Sequence, residues 1–256
     1  MSKIKNKTDL SSAIYGIHSF TSFFEKHPQD VNHVYVQDNY ASNVKLNNIV
    51  TTVQQHKIAL TFLKKKQFDE MTSGANHQGV LAEVELSKNT LHERELEEYL
   101  SGKPDAPFLL ILDQIQDPHN LGACIRSAAA AGVDAIIAPK DGSVAITTTV
   151  HKTACGGTEH VPYVQVTNLV RTMKHLQTLG VWITGTRGDA TSSLYDIDFK
   201  GPTAIVIGGE GKGMRRLVTE SCDYLANIPL SPNMESLNAS VAAGICLFEV
   251  VRQRQD

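Results

Sequence analysis

A glycine-rich stretch near the carboxyl terminus contains the residues best suited to chemistry in this sequence. Residues 208–213 hold four glycines around Glu210 and directly follow the apolar run 204–207. Glycine leaves the backbone bare, so a ligand can approach N–H and C=O groups without side chains in the way. Ser236 and Asn238 follow at the start of a predicted helix, where they can cap free N–H groups or face a ligand. The pattern therefore predicts a ligand site at the end of a strand.

The glycine-rich stretch does not fit the two best-known nucleotide motifs. A phosphate loop of the type GxxxxGK[ST] fails, because Met214 stands where the lysine is required. A dinucleotide fingerprint needs GxGxxG on the first strand-helix turn, whereas these glycines are spaced differently and follow a late strand. Nor does the segment 114–117, after the first strand of this part, offer such a fingerprint. A nucleotide-dependent oxidoreductase is therefore disfavoured.

The helix that follows the glycine-rich stretch has a predicted core face. Val241, Ile245 and Phe248 recur at i, i+4 and i+7, which is typical of a buried stripe. Leu247 and Val250 lie off this stripe, so the helix has more apolar residues than one face needs. A partner surface could cover the surplus.

A second helix is predicted after the apolar run 108–112, which is typical of a strand buried on both faces of a parallel sheet. Residues 117–120 supply helix-start chemistry, and Leu121, Ile125 and Ala128 form the buried face of a helix that Gly132 closes. Arg126 lies off that face. From 108 onwards strands and helices alternate with short connections, which predicts a doubly wound α/β domain with ligands at the carboxyl ends of its strands.

Three motifs in this order resemble those of the SpoU (TrmH) branch of the SPOUT RNA methyltransferases. They are Asn120-x-Gly122-Ala123-x-x-Arg126, Gly209-Glu210-Gly211-x-Gly213, and Ser236-Leu237-Asn238-x-Ser240 with Glu249 on the following helix. The resemblance covers 108–254. Upstream, residues 15–18 and 77–80 resemble the ribosomal-protein-like RNA-binding domain of the 23S rRNA guanosine 2′-O-methyltransferases.

This resemblance implies a fold, a reaction and a set of partners. The fold is an α/β catalytic domain with a parallel-sheet core and a deep trefoil knot, preceded by a small α/β RNA-binding domain. The reaction is methylation of a guanosine ribose 2′-hydroxyl in 23S rRNA by S-adenosylmethionine, in the peptidyl-transferase P loop during large-subunit biogenesis. The partners are 23S rRNA and a second copy of the chain in a homodimer.

The resemblance also implies roles for individual residues. The cofactor contacts backbone at Gly208, Ile228 and Leu237. Arg126 is the catalytic arginine, either as general base or as a clamp on the target phosphate that stabilises the developing alkoxide; a guanidinium with a pKa above about 12 favours the clamp.

The other implied catalytic residues support this arginine and the loop beside it. Asn120 and Glu210 order the Arg126 region, and Ser236 and Asn238 fix the loop that closes over cofactor and ribose. A plain helix cap remains the alternative for Asn238. Relatives commonly carry glycine at the place of Pro232, so the shape of the cofactor-side loop is expected to differ here.

Composition sets broad limits on the protein. The chain has 256 residues, 41% hydrophobic and 20% charged, with a net charge of −3, which is typical of a globular protein and gives no global nucleic-acid footprint. No apolar run approaches the roughly 20 residues of a membrane helix. The start of the chain lacks the apolar core of a secretory signal and is expected to be a frayed tail of a cytoplasmic protein. Four scattered cysteines without a CxxC pair predict reduced thiols and no metal site.

The charge distribution supports two domains. Residues 1–88 hold ten lysines against eight acidic residues, with the densest cluster at 64–66. A solvated helix end is the alternative to an RNA-binding role for that cluster. We expect an RNA substrate-binding domain over 1–88, a linker over 89–107 rich in turn formers and acidic residues, and a catalytic domain over 108–256.

Two alternative functions remain open at this point. The first is the same transfer to a tRNA ribose, which the amino-terminal domain disfavours because tRNA enzymes of this branch mostly lack it. The second is a non-catalytic RNA-binding assembly factor, which joint retention of Asn120, Arg126, Glu210, Ser236 and Asn238 disfavours.

Overall fold

The computed structural model describes residues 13–25, 27–72, 77–84 and 91–255. The chain divides into two compact units, Met1–Leu86 and Ser87–Asp256. The tail expected at 1–10 and the domain boundary expected at 88 lie outside the described residues.

The first unit is a small α/β domain, as predicted. Its sheet has the order β1-β4-β2-β3, in which β2 and β3 are parallel and β4 is antiparallel to both of its neighbours. Its elements are β1 (Ala13–Tyr15), α1 (Ile17–Phe24), β2 (Val31–Gln37), α2 (Val44–Gln55), β3 (Ala59–Leu63), α3 (Lys65–Met71) and β4 (Val80–Val84). A core cluster joins α1 and α2 to the sheet, and Phe68 of α3 packs on residues of its other face.

The second unit is built on a seven-stranded sheet of order β7-β6-β5-β10-β8-β11-β9, in which all pairs are parallel. Its strands are β5 (Phe108–Asp113), β6 (Ala135–Pro139), β7 (Tyr163–Val166), β8 (Trp182–Thr186), β9 (Ser192–Ser193), β10 (Thr203–Gly208) and β11 (Tyr224–Asn227). Its helices are α4 (Leu96–Ser101), α5 (Pro118–Ala131), α6 (Thr148–Ala154), α7 (Gly157–His160), α8 (Leu169–Thr178), α9 (Arg216–Thr219) and α10 (Ala239–Gln255). The predicted parallel-sheet α/β core is confirmed.

Strand β5 shows why the sheet forms as it does. All six of its residues are buried, because one apolar cluster that includes α5 and α10 covers one face and a second cluster that includes α4 and α8 covers the other. A continuous apolar run is what a strand covered on both faces requires. The site of interest lies at the carboxyl ends of β5 and β10, where α5 and the glycine-rich stretch begin.

Part of the predicted linker is a packed piece of the second unit. Leu96 and Leu100 of α4 are buried in the second apolar cluster, and Glu93 accepts hydrogen bonds from Arg171 and from the backbone of Thr167 at 3.0 and 3.2 Å. The turn formers at 101–107 suggested a free connection, but the amphipathic helix before them has a face to bury. Glu93, Leu96 and Leu100, which lie inside the predicted linker, therefore pack within the second unit.

The core face of α10 also differs from the prediction. Val241 and Phe248 are each 50% exposed, whereas Leu247 and Val250 are fully buried with Cys246. Apolar residues occur all round this helix, so periodicity alone could not choose the face that packs on α5 and β10. The apolar residues that α10 leaves exposed are therefore Val241 and Phe248, and not the predicted Leu247 and Val250.

Across the residues that the structure describes, no helix is both long and apolar enough to span a bilayer.

Candidate active site

The glycine-rich stretch forms a tight loop at the end of β10. Gly209 and Gly213 form an isolated antiparallel bridge, with a hydrogen bond of 2.9 Å from the N–H of Gly213 to the carbonyl of Gly209. A Cβ atom on Gly208 would lie 2.3 Å from the carbonyl carbon of Gly213. Gly211 and Gly213 have φ values of 75° and 65°, which glycine adopts without strain. The glycines are thus required by the fold of the loop itself.

An ion pair between the buried Asp113 and the exposed Arg215, which the sequence did not suggest, holds this loop against β5. Asp113 at the end of β5 is fully buried and accepts hydrogen bonds from the backbone N–H and the Nε of Arg215, at 2.7 and 2.8 Å. The second guanidinium nitrogen lies 2.7 Å from the same carboxylate. On the other side, a Cβ on Gly209 would lie 2.5 Å from the carbonyl oxygen of Gln114. The loop is therefore held at both ends against the strand beside it.

A cavity of about 560 Å³ opens beside the loop. Its lining includes the three predicted cofactor-binding residues, Gly208, Ile228 and Leu237, which come from separate segments. Three of the predicted catalytic residues line it too: Glu210, Ser236 and Asn238. Bare glycine backbone on one side and aliphatic side chains on the other suit a ligand with a polar chain and a flat apolar ring.

Three predicted site residues meet in one hydrogen-bonded cluster, which we call the amide-carboxylate network: Asn120, Glu210 and Asn238. The side-chain amide of Asn120 donates to Oε1 of Glu210 at 2.9 Å. The amide of Asn238 donates to the same oxygen at 2.7 Å and to Oδ1 of Asn120 at 2.9 Å. One carboxylate oxygen thus accepts two amide donors, and each of the three motifs contributes one residue.

Asn238 also caps α10, which was the alternative offered for it, and it takes part in the network at the same time. Its Oδ1 accepts hydrogen bonds from the backbone N–H and the hydroxyl of Ser240 at 2.9 and 2.6 Å. Its Nδ2 simultaneously donates hydrogen bonds to Asn120 and Glu210. The cap fixes the side chain, which leaves the amide donors aimed at Glu210.

Arg126 lies on the exposed face of α5, nearly two turns after Asn120. Its NH1 is 3.5 Å from the Sγ of Cys155, an exposed cysteine with φ 49° at the end of α6. Close packing brings these two together, because a Cβ on Gly122 would lie 2.5 Å from the Cβ of Thr153. The structure brings Asn120, Glu210 and Asn238 into contact with one another but places Arg126 beside them on the helix surface.

The remaining cysteines, unlike Cys155, are buried or partly buried. Burial raises the pKa of the Cys124, Cys222 and Cys246 thiols to about 12. No disulfide joins the four cysteines. Among the described residues, no cluster of histidine, cysteine and acidic side chains could hold a metal ion.

Comparison with protein families gives two matches. Residues 107–248 match the SpoU rRNA Methylase family, and residues 13–90 match the family described as RNA 2′-O ribose methyltransferase substrate binding. Among curated proteins, the chain is 48% identical over 242 residues to the 23S rRNA (guanosine-2′-O-)-methyltransferase RlmB of Shewanella oneidensis, covering 94% of this chain and 97% of that one. It is 49% identical to RlmB of Vibrio vulnificus, covering 94% and 96%.

Solved structures show the same fold. The SpoU methyltransferase AviRb from Streptomyces viridochromogenes, in complex with the cofactor AdoMet, superposes with a TM-score of 0.69 at 22% identity, covering 95% of this chain and 90% of that one. The TrmH/SpoU tRNA modifying enzyme of A. aeolicus gives a TM-score of 0.53 at 27% identity and covers 64% of this chain and 82% of that one.

Proposed function

The chain belongs to the SpoU rRNA methylase family, and we propose that it transfers the methyl group of S-adenosylmethionine to the ribose 2′-hydroxyl of a guanosine in 23S rRNA. The two 23S rRNA (guanosine-2′-O-)-methyltransferases named above match it over 94% of its length at 48% and 49% identity. The observation that carries the proposal is the network of Asn120, Glu210 and Asn238, because it joins all three family motifs beside one cavity.

The cavity fits S-adenosylmethionine by its chemistry. The backbone of the glycine loop would hold the cofactor by polar contacts, together with Ile228 and Leu237, which line the same cavity. When bound, the cofactor supplies an electrophilic methyl group on a sulfonium. We assign Gly208, Ile228 and Leu237 to cofactor binding, and Asp113 with Arg215 to holding the loop in place.

The protein's part in the reaction is positioning and charge stabilisation. The 2′-oxygen must lie in line behind the methyl carbon, and fixing such an arrangement lowers the barrier by removing orientational freedom beforehand. Transfer would form the oxygen–methyl bond and break the methyl–sulfur bond, leaving its electron pair on the sulfur of S-adenosylhomocysteine, and the hydroxyl proton would pass to solvent. Arg126 is exposed and permanently charged, so we assign it to binding the target phosphate and stabilising the developing alkoxide.

We propose that the amide-carboxylate network positions the helix that carries Arg126. Asn120 lies on the same helix as Arg126 and is fastened to Glu210 and Asn238, so the helix start cannot move independently of the glycine loop and α10. We propose that Ser236 and Asn238 hold the closing loop over the ribose. Pro232 lies in the exposed segment before them, and we assign no catalytic part to it.

Several finer features complete the proposal. We infer that the target guanosine lies in the peptidyl-transferase P loop. We infer that methylation takes place in the cytoplasm during large-subunit biogenesis. We also infer that the carboxyl-terminal part of the chain forms the trefoil knot typical of the family. We also propose a homodimer through the second unit, with Val241 and Phe248 of α10 in the interface, since each is an apolar residue that is 50% exposed.

Transfer of a radiolabelled methyl group to unmodified 23S rRNA tests the function directly. The protein should label one guanosine, and mapping of the alkali-resistant bond should place the label on its 2′-oxygen. Label on tRNA and none on 23S rRNA would transfer the assignment to the tRNA alternative. Binding of S-adenosylhomocysteine, measured by calorimetry, is the second readout. If the protein neither binds S-adenosylhomocysteine nor transfers a methyl group, the assembly-factor alternative would hold.

A further inference from the structure

We propose that Tyr40 and Phe62, a stacked aromatic pair in the first unit, bind an unpaired base of an RNA, with Lys65 and Lys66 contacting the adjoining phosphates. We call these four residues the stacking platform. The choice of RNA as ligand rests on the proposed function. It assigns a role to the lysine cluster at 64–66, which the catalytic site does not use.

The geometry of the pair is that of a ready-made stacking surface. The ring centroids of Tyr40 and Phe62 are 4.9 Å apart and the ring planes differ by 16°. Tyr40 packs partly against the core of the unit, so it fixes the plane of its neighbour. Phe62 is 44% exposed, which is unusual for a phenylalanine on a strand. An exposed ring with one supported side can accept a third ring in parallel.

The pair is positioned by regular structure. Phe62 pairs with Val36 in the parallel register of β2 and β3. The backbone N–H of Asp38 donates to the carbonyl of Leu63 at 2.9 Å, which holds the turn carrying Tyr40 next to the end of β3. The platform is therefore preformed, and binding a base would order few additional groups.

The charges around the pair favour a polyanion. Lys64 follows β3 directly, and Lys65 and Lys66 form the first turn of α3; all three are exposed. Asp38, two residues before Tyr40, is the acidic residue nearest to the pair in sequence, and Asp69 and Glu70 follow on α3, where Asp69 contacts His77 at 3.1 Å. The three lysines thus outnumber the one acidic residue that directly flanks the pair. Aromatic rings beside lysines are the combination that binds single-stranded nucleic acid, by base stacking and phosphate contact.

A protein partner would suit this surface less well. Lysine is depleted at the centre of protein interfaces, where contiguous apolar area is usual. Here a single exposed ring is followed closely by three lysines in the sequence. RNA is therefore the occupant that we propose.

The test is binding of the full chain to a labelled single strand of RNA of about twelve nucleotides, within the usual site size, and to a blunt duplex of the same sequence. Phe62→Ala should weaken single-strand binding by roughly 5- to 150-fold, the range for loss of one base stack, and change duplex binding by less than about twofold. Phe62→Trp should retain the affinity. Tyr195→Ala, which removes an aromatic side chain 54% exposed in the second unit, is the matched control.

The contribution of the lysines is tested by the salt dependence of RNA binding. The double variant Lys65→Gln and Lys66→Gln should reduce the slope of log K against log salt by about 1.4, since each phosphate contact on a single strand contributes about 0.7. Phe62→Ala should leave this slope unchanged. Lys174→Gln with Lys200→Gln removes the same charge from exposed positions in the second unit and controls for net charge.

Several results would overturn the inference. Wild-type single-strand affinity in Phe62→Ala would do so, as would equal losses on single strand and duplex. Weakened self-association with unchanged RNA affinity would assign the ring to a protein contact instead. If Phe62→Ala fails to fold by circular dichroism, Phe62→Leu keeps the apolar volume without the flat ring and should show the same loss of single-strand binding. Intact RNA binding without methyl transfer by the wild-type protein would defeat the proposed function but not the platform.

Discussion

The side-chain amide of Asn238 donates a hydrogen bond of 2.7 Å to Oε1 of Glu210, while its Oδ1 accepts the N–H of Ser240 and so caps α10. One side chain therefore both starts a helix and joins it to the glycine loop. Any change that affects only one end of this amide can separate the two roles.

Asn238→Asp provides such a change. Aspartate is an equally good helix cap, so thermal stability should change little through the cap. A carboxylate would then face the Glu210 carboxylate in place of a donor, and like charges at this distance raise the pKa of one of them. We expect methyl transfer to fall by at least tenfold at pH 7.5 and to recover partly towards pH 5.5, measured as kcat/KM across a pH series.

Asn168→Asp is the matched control for this substitution. Asn168 caps α8 by accepting the N–H of Arg171 at 3.1 Å and takes no part in the network. Wild-type activity in this variant would show that the loss in Asn238→Asp belongs to the site. An Asn238→Asp enzyme with full activity at pH 7.5 would exclude a role for the Asn238 amide.

How far the sequence could predict this arrangement depends on how local each feature is. Strand β5 differs from the predicted run 108–112 by one residue, because apolar runs report burial directly. Helix α3 begins at the lysine cluster, in agreement with the solvated helix end offered as an alternative for it, although no bounds were predicted for this helix. The predicted face of α10 is wrong because apolar residues surround the helix.

The glycine-rich stretch predicted where a ligand site lies, but the meeting of the three motifs was predictable only through resemblance. Asn120 and Asn238 are 118 residues apart in the chain, and no periodicity connects them. The ion pair of Asp113 and Arg215 had no signal beyond an acidic residue ending a strand and an arginine after a glycine loop. The contact of Arg126 with Cys155 likewise depends on how α5 and α6 pack.

Removing Arg215 should damage the cofactor site. Arg215→Met leaves the fully buried Asp113 carboxylate without its charged partner, and breaking a buried pair costs about 3–5 kcal/mol. Since the Arg215 side chain is 40% exposed, we expect the lower part of that range, seen in chemical denaturation, with weaker S-adenosylmethionine binding by calorimetry. Arg216→Met removes an exposed i,i+4 pair with Glu220 and should change neither quantity appreciably. Unaltered cofactor affinity in Arg215→Met would contradict the positioning role.

The thiols should react in a fixed order. Cys155 is exposed, whereas burial raises the pKa of Cys124, Cys222 and Cys246 to about 12, and the thiolate is the reactive form. At pH 8, iodoacetamide should modify one thiol of the native protein rapidly and the other three only after unfolding. Because Cys155 lies 3.5 Å from Arg126, the adduct should inhibit methyl transfer.

Cys155→Ser serves as the control in that experiment. It should remain active and resist inhibition by the reagent. Peptide mapping by mass spectrometry identifies the modified residue, and rapid modification of Cys124 or Cys246 in the folded protein would contradict their burial.

The proposed dimer depends on the exposed face of α10. Phe248→Glu places a charge on a residue that is 50% exposed, so folding should be retained while association is lost. We expect the wild type to have a dimeric mass by light scattering at micromolar concentration and the variant a monomeric one. Tyr195→Glu, at a comparably exposed aromatic residue, should remain dimeric. A wild-type monomer with full activity would refute the dimer.

Arg126 has two possible roles, and lysine distinguishes them. If the guanidinium clamps a phosphate and stabilises the alkoxide, Arg126→Lys keeps a charge but loses the planar fork, so some activity should survive while RNA affinity falls. If it is the proton acceptor, lysine could replace it only after losing its own proton. Activity of Arg126→Lys should then rise steeply with pH towards the ordinary lysine pKa of about 10.4.

Single-turnover methyl transfer by Arg126→Lys and Arg126→Ala across a pH series decides between these roles. Cofactor affinity should hardly change in either variant, because Arg126 lies on the exposed face of α5 and the cavity is lined by the glycine loop, Ile228 and Leu237. A pH-independent residual rate in Arg126→Lys supports the clamp. Near-wild-type turnover in Arg126→Ala would show that both roles are wrong and that the reaction is centred elsewhere than at the start of α5.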